Sequence, residues 1–330
     1  MQRDLVERRG WVSAAEFADG LAFAQLAPGP LAAQLAIYLG WVRHGIRGAT
    51  LAGLAFVAPS FAIVLALSAL YVRYAGLPWI RGAFYGIAAA VIAVIARSAA
   101  RLIPMTLRRD RALWAVCAVN AAVVAWTERE LASVILASGG VMLAWRGLAP
   151  LRGVAAAVAP WDLLWYFTKA GAVVFGSGLA IVPYLYGGVV EQYGWLNDQQ
   201  FLDAVAVSMI TPGPVVITVA FIGYLTAGPL GAVAAATGVF LPVYLAVVLG
   251  ARWFHRVVRN VRVRTFVDGV TAAATGAIAG AVIVLGQRAI VDVTTLAIGV
   301  VALVLLHTAK RLPEPAVMLA AGVVGVMIAR

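Results

Sequence analysis

Two segments of this chain carry the same helix-breaking, aromatic and acidic residues at the same spacing. The two sets, 184 positions apart, are Gly10, Trp11, Phe17, Asp19, Pro28, Gly29 and Pro30, and then Gly194, Trp195, Phe201, Asp203, Pro212, Gly213 and Pro214. A helix that begins just after a proline turn presents free N–H groups and the positive end of its dipole. Two such helix ends that meet inside a protein would attract an anion. The sequence therefore predicts an anion site at the two Pro-Gly-Pro turns.

Uncharged polar side chains flank both turns and could complete this site. Gln25 and Thr211 precede the turns, while Gln34 and Thr218 follow them at equivalent positions. Their amide and hydroxyl groups supply hydrogen-bonding partners for an oxyanion. The alternative is a pair of kinked, packed helices that bind no ligand. Because the whole motif occurs twice, the binding interpretation is favoured.

One basic residue, Lys169, lies within an apolar segment and is followed by the stretch Gly176, Ser177, Gly178. An ammonium group inside a membrane segment is costly unless it is paired or hydrated, so Lys169 is predicted as a ligand. The alternative is that Lys169 snorkels to the membrane surface near Trp161. The Gly-Ser-Gly stretch either breaks the helix and offers N–H groups to the ligand, or marks a close helix crossing. We include it in the predicted site.

Paired carboxylates are the remaining candidates for chemistry. Asp19 and Asp203 occupy equivalent positions within otherwise apolar sequence. Because burial favours the uncharged form of a carboxyl group, either residue could carry a coupled proton. The alternatives are an ion pair with Lys169 and a helix cap. Glu7 and Glu191 stand just before the two Gly-Trp pairs and are predicted either to gate the site or to have a structural role only.

Composition places these residues in a lipid bilayer. Of the 330 residues, 63% are hydrophobic and 12% are charged, and the mean hydropathy is +0.95. Apolar runs recur at about 20 residues, the length of a membrane-spanning helix. The net charge of +11 is attributed to cytoplasmic loops, so no nucleic-acid partner is predicted. The sequence therefore predicts an all-α polytopic membrane protein.

Motifs for other classes of function are absent from the sequence. There is no nucleotide-binding loop, no His-Glu-x2-His and no Gly-x-Ser-x-Gly, and Cys117 is the only cysteine. We therefore predict no enzyme activity, no cofactor and no metal site.

The arms around each Pro-Gly-Pro turn are too short to cross the bilayer as separate helices, so each pair is predicted to form a re-entrant hairpin. The arms span 14–27 and 31–41 in the first copy, and 199–211 and 215–226 in the second. Five predicted spans lie between the hairpins (46–72, 79–103, 112–127, 130–145 and 162–186) and four follow them (230–253, 265–287, 291–308 and 315–328). An odd number of intervening spans places the hairpins on opposite sides of the membrane.

The predicted organisation is therefore two inverted-topology repeats, 1–146 and 162–330, joined by a linker at 147–161. Nineteen basic residues fall on alternate connections and five on the opposite ones, which predicts that the N-terminus is cytoplasmic. The protein is predicted to lie in the inner membrane. The second repeat has an element, 162–186, whose counterpart would precede Met1.

These residues resemble the chromate ion transporter family over both halves of the chain. The matching positions are Arg9, Gly10, Trp11, Glu16, Phe17, Asp19, Gln25, Pro28, Gly29, Pro30, Gln34 and Gly40, and then Phe175, Gly176, Ser177, Gly178, Pro183, Gly194, Trp195, Leu196, Gln200, Phe201, Leu202, Asp203, Thr211, Pro212, Gly213, Pro214, Phe221, Ile222, Gly223, Phe240, Leu241 and Pro242. Two departures stand out: the first half lacks the family's opening segment with its Phe-Gly-Gly-type motif, and Met209 stands where many members carry Gln.

The resemblance implies a transporter of chromate, in most members an exporter that confers chromate resistance. It also implies sulfate as a related oxyanion substrate. The expected driving force is an ion gradient rather than ATP. We predict a secondary transporter that works by alternating access. The alternatives are a transporter or channel for another small solute such as sulfate, and a non-transporting membrane receptor or assembly factor. The sequence leaves a homo-oligomer open.

Overall fold

The computed structural model describes residues 3–74, 76–107, 110–127, 159–174, 177–251, 261–309 and 312–328, which form helices and turns without a β-strand. The helices are α1 (Ala14–Leu26), α2 (Leu31–Tyr74), α3 (Pro78–Leu107), α4 (Arg111–Thr127), α5 (Pro160–Val173), α6 (Ile181–Leu185), α7 (Asp198–Ile210), α8 (Thr218–Gly250), α9 (Val261–Ala289), α10 (Val293–Thr308) and α11 (Glu314–Ile328). Two π-helices, Arg3–Arg8 and Tyr186–Gln192, and two 3-10 turns, Gly178–Ala180 and Val215–Ile217, complete the described elements. The predicted all-α architecture is confirmed.

Several of these helices match the length and polarity of membrane spans. In the described part of the chain, four stretches are long and apolar enough to cross a bilayer: Leu31–Tyr74, Pro78–Leu107, Val215–Gly250 and Thr265–Ala289. Three shorter apolar helices are Arg111–Trp126, Val293–Thr308 and Glu314–Ile328. The predicted span at 130–145 and most of the linker at 147–161 lie outside the described residues.

Each Pro-Gly-Pro turn joins two antiparallel helical arms. In the first copy the Phe23 ring stacks on the Tyr38 ring, with 5.3 Å between centroids, across the turn from α1 to α2. In the second copy the Thr218 hydroxyl lies 2.6 Å from the Ser208 hydroxyl across the equivalent turn. The predicted arms are therefore helical hairpins.

The returning arm of each hairpin reverses direction again at a glycine. Gly45 has φ +58° and Gly228 has φ +65°, inside stretches that are otherwise helical. A Cβ on Gly40 would collide with the carbonyl oxygen of Gly48, eight residues later. In an unbroken helix those residues would be about 12 Å apart. The chain therefore folds back on itself at Gly45, and Gly223 and Gly231 make the equivalent contact in the second copy.

The two copies have the same backbone conformation around their shared motif. Among the described residues, the positive-φ glycines form three equivalent pairs: Gly10 with Gly194, Gly29 with Gly213, and Gly45 with Gly228. Both first arms begin with a capping box, Ser13 with Glu16 and Asn197 with Gln200. The N–H groups of Trp11 and Trp195 donate to Leu5 and Val189, each at 2.8 Å. The duplication seen in sequence therefore extends to local structure.

Helices of the two copies pack against each other reciprocally. Helix α4 of the first copy packs on α9 of the second, and α10 of the second packs on α3 of the first. The equivalent helices α3 and α9 also pack together and run antiparallel. Ile92 contacts Gly286 at one end, and the Thr275 hydroxyl lies 3.4 Å from that of Thr106 at the other.

The predicted span at 162–186 is not one unbroken helix. Helix α5 ends at Val173, and Val174 and Ser177 have extended backbone. The chain then continues through the 3-10 turn, the short helix α6 and the π-helix to Gln192. Gly171 packs directly on the Val239 backbone of α8, so a glycine contact and a helix break both occur in this segment.

Candidate functional site

Each Pro-Gly-Pro turn lies against a helix of the other copy. A Cβ on Gly29 would stand 2.6 Å from Val243 Cγ2, and a Cβ on Gly213 would stand 2.5 Å from Ser60 Cβ. Ser60 and Val243 are themselves equivalent, because each follows a matched proline within its helix. The two turns are therefore held by a reciprocal pair of contacts between the copies.

Gly178 lies between the two turns. A Cβ at this position would be 3.9 Å from Pro30 Cβ in the first turn and 3.9 Å from Val215 Cβ just after the second. The preceding Ser177 hydroxyl accepts a hydrogen bond from the Leu179 N–H at 3.2 Å. Gly176 lies outside the described residues. The broken segment after α5 is thus the place where the two turns converge.

A backbone hydrogen bond joins the first turn to the end of α5. The Gly29 N–H donates to the Val174 carbonyl at 2.5 Å, immediately before the break. At the start of α2, the Ala33 and Gln34 N–H groups both donate to the Pro30 carbonyl. The N–H groups of Leu31 and Ala32, in the first turn of the helix, have no intrahelical acceptor. They are the backbone donors that this helix end offers a ligand.

Gln34 and Thr218, the equivalent polar residues after the two turns, are both fully buried but are used differently. Gln34 Nε2 donates to the Ala27 carbonyl at 2.8 Å, whereas Gln34 Oε1 has no hydrogen-bond partner among the described residues. Thr218 Oγ1 lies 2.6 Å from Ser208 Oγ and 2.7 Å from the Val215 carbonyl. The first copy therefore keeps a buried polar atom that its own fold does not satisfy.

Not every predicted site residue approaches the turns. Lys169 is on the exposed face of α5, with its Nζ 5.8 Å from the centroid of the Trp165 ring. Gln25 is exposed, and the Thr211 hydroxyl donates to the Val207 carbonyl of its own helix at 2.7 Å. Pro30 and Pro214 are buried, Pro28 is half-buried and Pro212 is exposed.

The two equivalent aspartates lie in different surroundings. Asp19 is exposed, whereas Asp203 is 3% exposed. Asp203 Oδ2 accepts a hydrogen bond from the Tyr71 hydroxyl at 2.6 Å, and Oδ1 accepts one from Gln199 Nε2 at 2.9 Å. Lys169 is not a partner of Asp203. Glu7 is exposed and Glu191 half-buried, each beside a hairpin mouth.

Comparison with known proteins identifies the family. The family model described as chromate transporter matches residues 1–144 and 161–326. The chain belongs to the chromate transporter family. A chromate transport protein of Cupriavidus metallidurans is 52% identical over 99% of this chain and 86% of its own length. A probable chromate transport protein of Synechococcus elongatus is 52% identical, with 99% and 89% covered.

A more distant relative, a chromate transport protein of Pseudomonas aeruginosa, is 34% identical over 99% of this chain and 86% of its own length. No solved structure matches the chain. Membership of the chromate transporter family, together with the apolar helices, makes the chain a multi-pass membrane protein.

Sequence reasoning missed three side chains that the structure places at or near the chromate transporter motifs: Tyr71, Ser60 and Val243. Ser60 and Val243 follow Pro59 and Pro242, so the matched prolines were a signal that could have found them. Tyr71 lies near the end of a long apolar helix, and no periodicity marks it. In the described residues, no group of three or more His, Cys, Asp or Glu side chains could hold a metal ion.

The convergence on Gly178 predicts two disulfides. In a Cys117→Ala background, Gly178→Cys combined with Pro30→Cys, and Gly178→Cys combined with Val215→Cys, should each cross-link under mild oxidation. Both Cβ separations of 3.9 Å are within the range that a disulfide requires. Cleavage at a protease site inserted between the paired positions, followed by non-reducing electrophoresis, would detect the bond. The single-cysteine variants are the controls, and failure of both pairs would contradict the packing.

Proposed function

We propose that this protein is a secondary active transporter that carries chromate, or a closely similar tetrahedral oxyanion, out of the cell by alternating access in the inner membrane. The observation that carries the proposal is the meeting of the two Pro-Gly-Pro turns at Gly178. Family membership supports chromate as the substrate, since relatives that are 52% identical are named chromate transport proteins or probable ones.

The proposed site binds the oxyanion through neutral groups. The N–H groups at the start of α2 and at the Val215 turn lie at two helix ends, where the helix dipoles favour negative charge. Gln34 and Thr218 are fully buried polar side chains that follow the two turns, and Gly178, next to Ser177, lies between the turns. A site without a paired cation holds a dianion weakly enough to release it, which a transport cycle requires.

Lys169 is left out of this proposed site. Its side chain lies on the exposed face of α5, together with Trp161 and Trp165, whereas Gly171 and Val174 of the same segment face the core. Gln25 is likewise exposed. The proposed binding residues are therefore those of the two turns, Gln34, Thr218, Ser177 and Gly178, with Thr211 and Gly176 beside them in sequence.

We also propose that the two repeats have inverted topology and that the hairpins are re-entrant. The antiparallel packing of the equivalent helices α3 and α9 supports this, because two equivalent spans would then cross the membrane in opposite directions. Gly29 packs on Val243 and Gly213 packs on Ser60, as expected for two copies that are related by a two-fold axis. The bias of basic residues supports a cytoplasmic N-terminus.

Chromate flux in proteoliposomes tests the proposed function. Purified protein would be reconstituted, a pH gradient imposed, and chromate movement measured with and without excess sulfate. We expect saturable chromate movement that responds to the gradient and that sulfate inhibits. No chromate movement by protein shown to be folded would contradict the proposal. Sulfate movement faster than that of chromate would instead identify sulfate as the substrate.

A further inference from the structure

We propose that Asp203 alone among the hairpin carboxylates carries the proton that drives transport, and that Tyr71 of the other copy positions it. This inference deepens the proposed function and rests on it. It assigns one proton-binding carboxylate to the second copy and none to the first. The two repeats therefore differ in function although they share a motif.

The surroundings of the two aspartates carry this assignment. Asp203 is buried and held by two hydrogen bonds, from Tyr71 at 2.6 Å and from Gln199 at 2.9 Å. In the first copy the residue equivalent to Gln199 is Ala15, which has no side-chain donor, and Asp19 is exposed. Burial disfavours the charged form of a carboxyl group, so a buried carboxylate must exchange its proton or its partners when its surroundings move.

Tyr71 makes this site sensitive to the relative position of the two copies. It belongs to α2 of the first copy, and its hydroxyl reaches Asp203 on α7 of the second. Its ring packs edge-on against Phe84 of α3, with 5.4 Å between centroids, and against Phe221 of α8, with 5.2 Å. A shift of the second hairpin against α2 would therefore break or remake the bond to Asp203.

A cavity adjoins this bond. It has a volume of about 430 Å³ and is lined by Tyr71, Tyr74, Trp79, Phe84 and Val207, among others. Val207 lies one helical turn after Asp203. Tyr71 both lines the cavity and donates a hydrogen bond to the Asp203 carboxylate. The cavity is at the connection between α2 and α3, which the bias of basic residues predicts to be external. The external side is accordingly the source of the proton in the proposed cycle.

The other titratable groups near α7 have different partners. Tyr186 and Arg288 contact Asp198, five residues before Asp203, at 2.5 and 3.7 Å. Of the other titratable groups on the elements packed against α7, the following form no hydrogen bond or ion pair with Asp203 in the described part of the chain: Arg73, Tyr74, Arg81, Tyr85, Arg97, Arg101, Glu191, Tyr224, Tyr244, Asp268 and Glu314. Tyr71 and Gln199 are thus the groups that control the charge on Asp203.

The proposed cycle conserves protons and returns Asp203 to its starting ionised state. With Asp203 ionised, the Tyr71 O–H donates to it and holds the second hairpin against α2. A proton from the external side binds one carboxylate oxygen, after which the carboxyl group is neutral and no longer needs that donor. The contact between the copies then weakens and the hairpin can move. The proton leaves on the cytoplasmic side, Asp203 is ionised again, and the Tyr71 bond reforms, so one proton enters per oxyanion exported.

The test separates exchange from coupling in proteoliposomes. Chromate–chromate exchange without a gradient reports binding and translocation, while uphill chromate accumulation and dye-monitored proton movement report coupling. Asp203→Asn should keep the rate of chromate exchange within about threefold of the wild-type rate. It should reduce the chromate accumulation driven by a pH gradient at least tenfold. Asp19→Asn is the matched variant at the equivalent position and should lose far less accumulation. Absence of exchange in the wild type would contradict the proposed function itself.

Tyr71→Phe tests the positioning role without removing the carboxyl group. This substitution removes one hydrogen-bond donor to the ionised Asp203 carboxylate, so the carboxylate should take up its proton at higher pH. The midpoint of the pH profile of chromate accumulation should therefore move to higher pH, while the chromate KM stays unchanged. Full gradient-driven accumulation by Asp203→Asn would overturn the inference. An unshifted profile for Tyr71→Phe would overturn it even if Asp203→Asn failed to fold. Accumulation that follows a sodium gradient rather than the pH gradient would overturn the assignment of the proton.

Discussion

Gly213→Ala is expected to destabilise the protein by about 2–6 kcal/mol and to reduce chromate transport at least tenfold. The φ of Gly213 is +148°, where a Cβ is strained, at a cost of about 1–3 kcal/mol. The same Cβ would lie 2.5 Å from Ser60 Cβ and 2.7 Å from Ser60 Oγ, and overpacking of this kind costs a further 1–3 kcal/mol or so. Thermal unfolding in detergent and flux in proteoliposomes would measure the two effects.

Two further variants divide this effect into its parts. Gly194 also has positive φ, +61°, but nothing lies within 4 Å of its Cβ position, so Gly194→Ala should show the backbone strain alone. Adding Ser60→Gly to Gly213→Ala removes the atoms that the new Cβ would meet and should restore part of the stability. If Gly213→Ala and Gly194→Ala are equally stable, and Ser60→Gly restores nothing, the second turn does not rest on α2.

The second large effect is expected for Gln34→Leu, which should raise the chromate KM about 10–100-fold. A hydrogen bond to a charged group contributes about 1.5–3 kcal/mol, and each 1.4 kcal/mol is about a tenfold change. Gln34 is fully buried beside the first turn, close to the Gly29 backbone, and only its Nε2 is used by the fold. Flux measured over a range of chromate concentrations would separate KM from the maximal rate.

Some loss in Gln34→Leu will come from stability, because the Ala27 carbonyl loses its donor. Ser68→Ala is the matched control on the same helix, since the Ser68 hydroxyl is buried and donates to the Val64 carbonyl at 2.8 Å. It should change the unfolding temperature without changing the KM. An unchanged KM in Gln34→Leu, with protein as stable as the Ser68→Ala control, would remove Gln34 from the proposed site.

The duplication and the hairpins could be predicted because they depend on residues with local backbone consequences. Gly29, Gly45 and their equivalents adopt positive φ, and the prolines interrupt helix hydrogen bonding, whatever surrounds them. A matched set of such residues therefore indicates a matched fold. The bounds of α3, α4, α9, α10 and α11 also lie within four residues of the predicted spans, since long apolar runs determine them.

The positions of individual side chains in the site could not be predicted, because they depend on how each helix is rotated. Trp161, Trp165 and Lys169 share one face of α5, and that face is exposed, while Phe167 and Ala170 are buried. In a membrane protein both the lipid-facing and the core-facing sides are apolar, so hydrophobic periodicity does not distinguish them. For the same reason, the contact of Tyr71 with Asp203 could not be predicted; it joins residues that are 132 positions apart in the sequence.

Labelling at Gly178 would show whether the two turns form one oxyanion site that is reached from both sides of the membrane. Gly178→Cys in a Cys117→Ala background, once shown to transport chromate, would be exposed to a membrane-impermeant thiol reagent added outside or inside oriented vesicles. We expect the cysteine to react from either side and chromate to protect it from both. Reaction from one side only, unaffected by chromate, would contradict it.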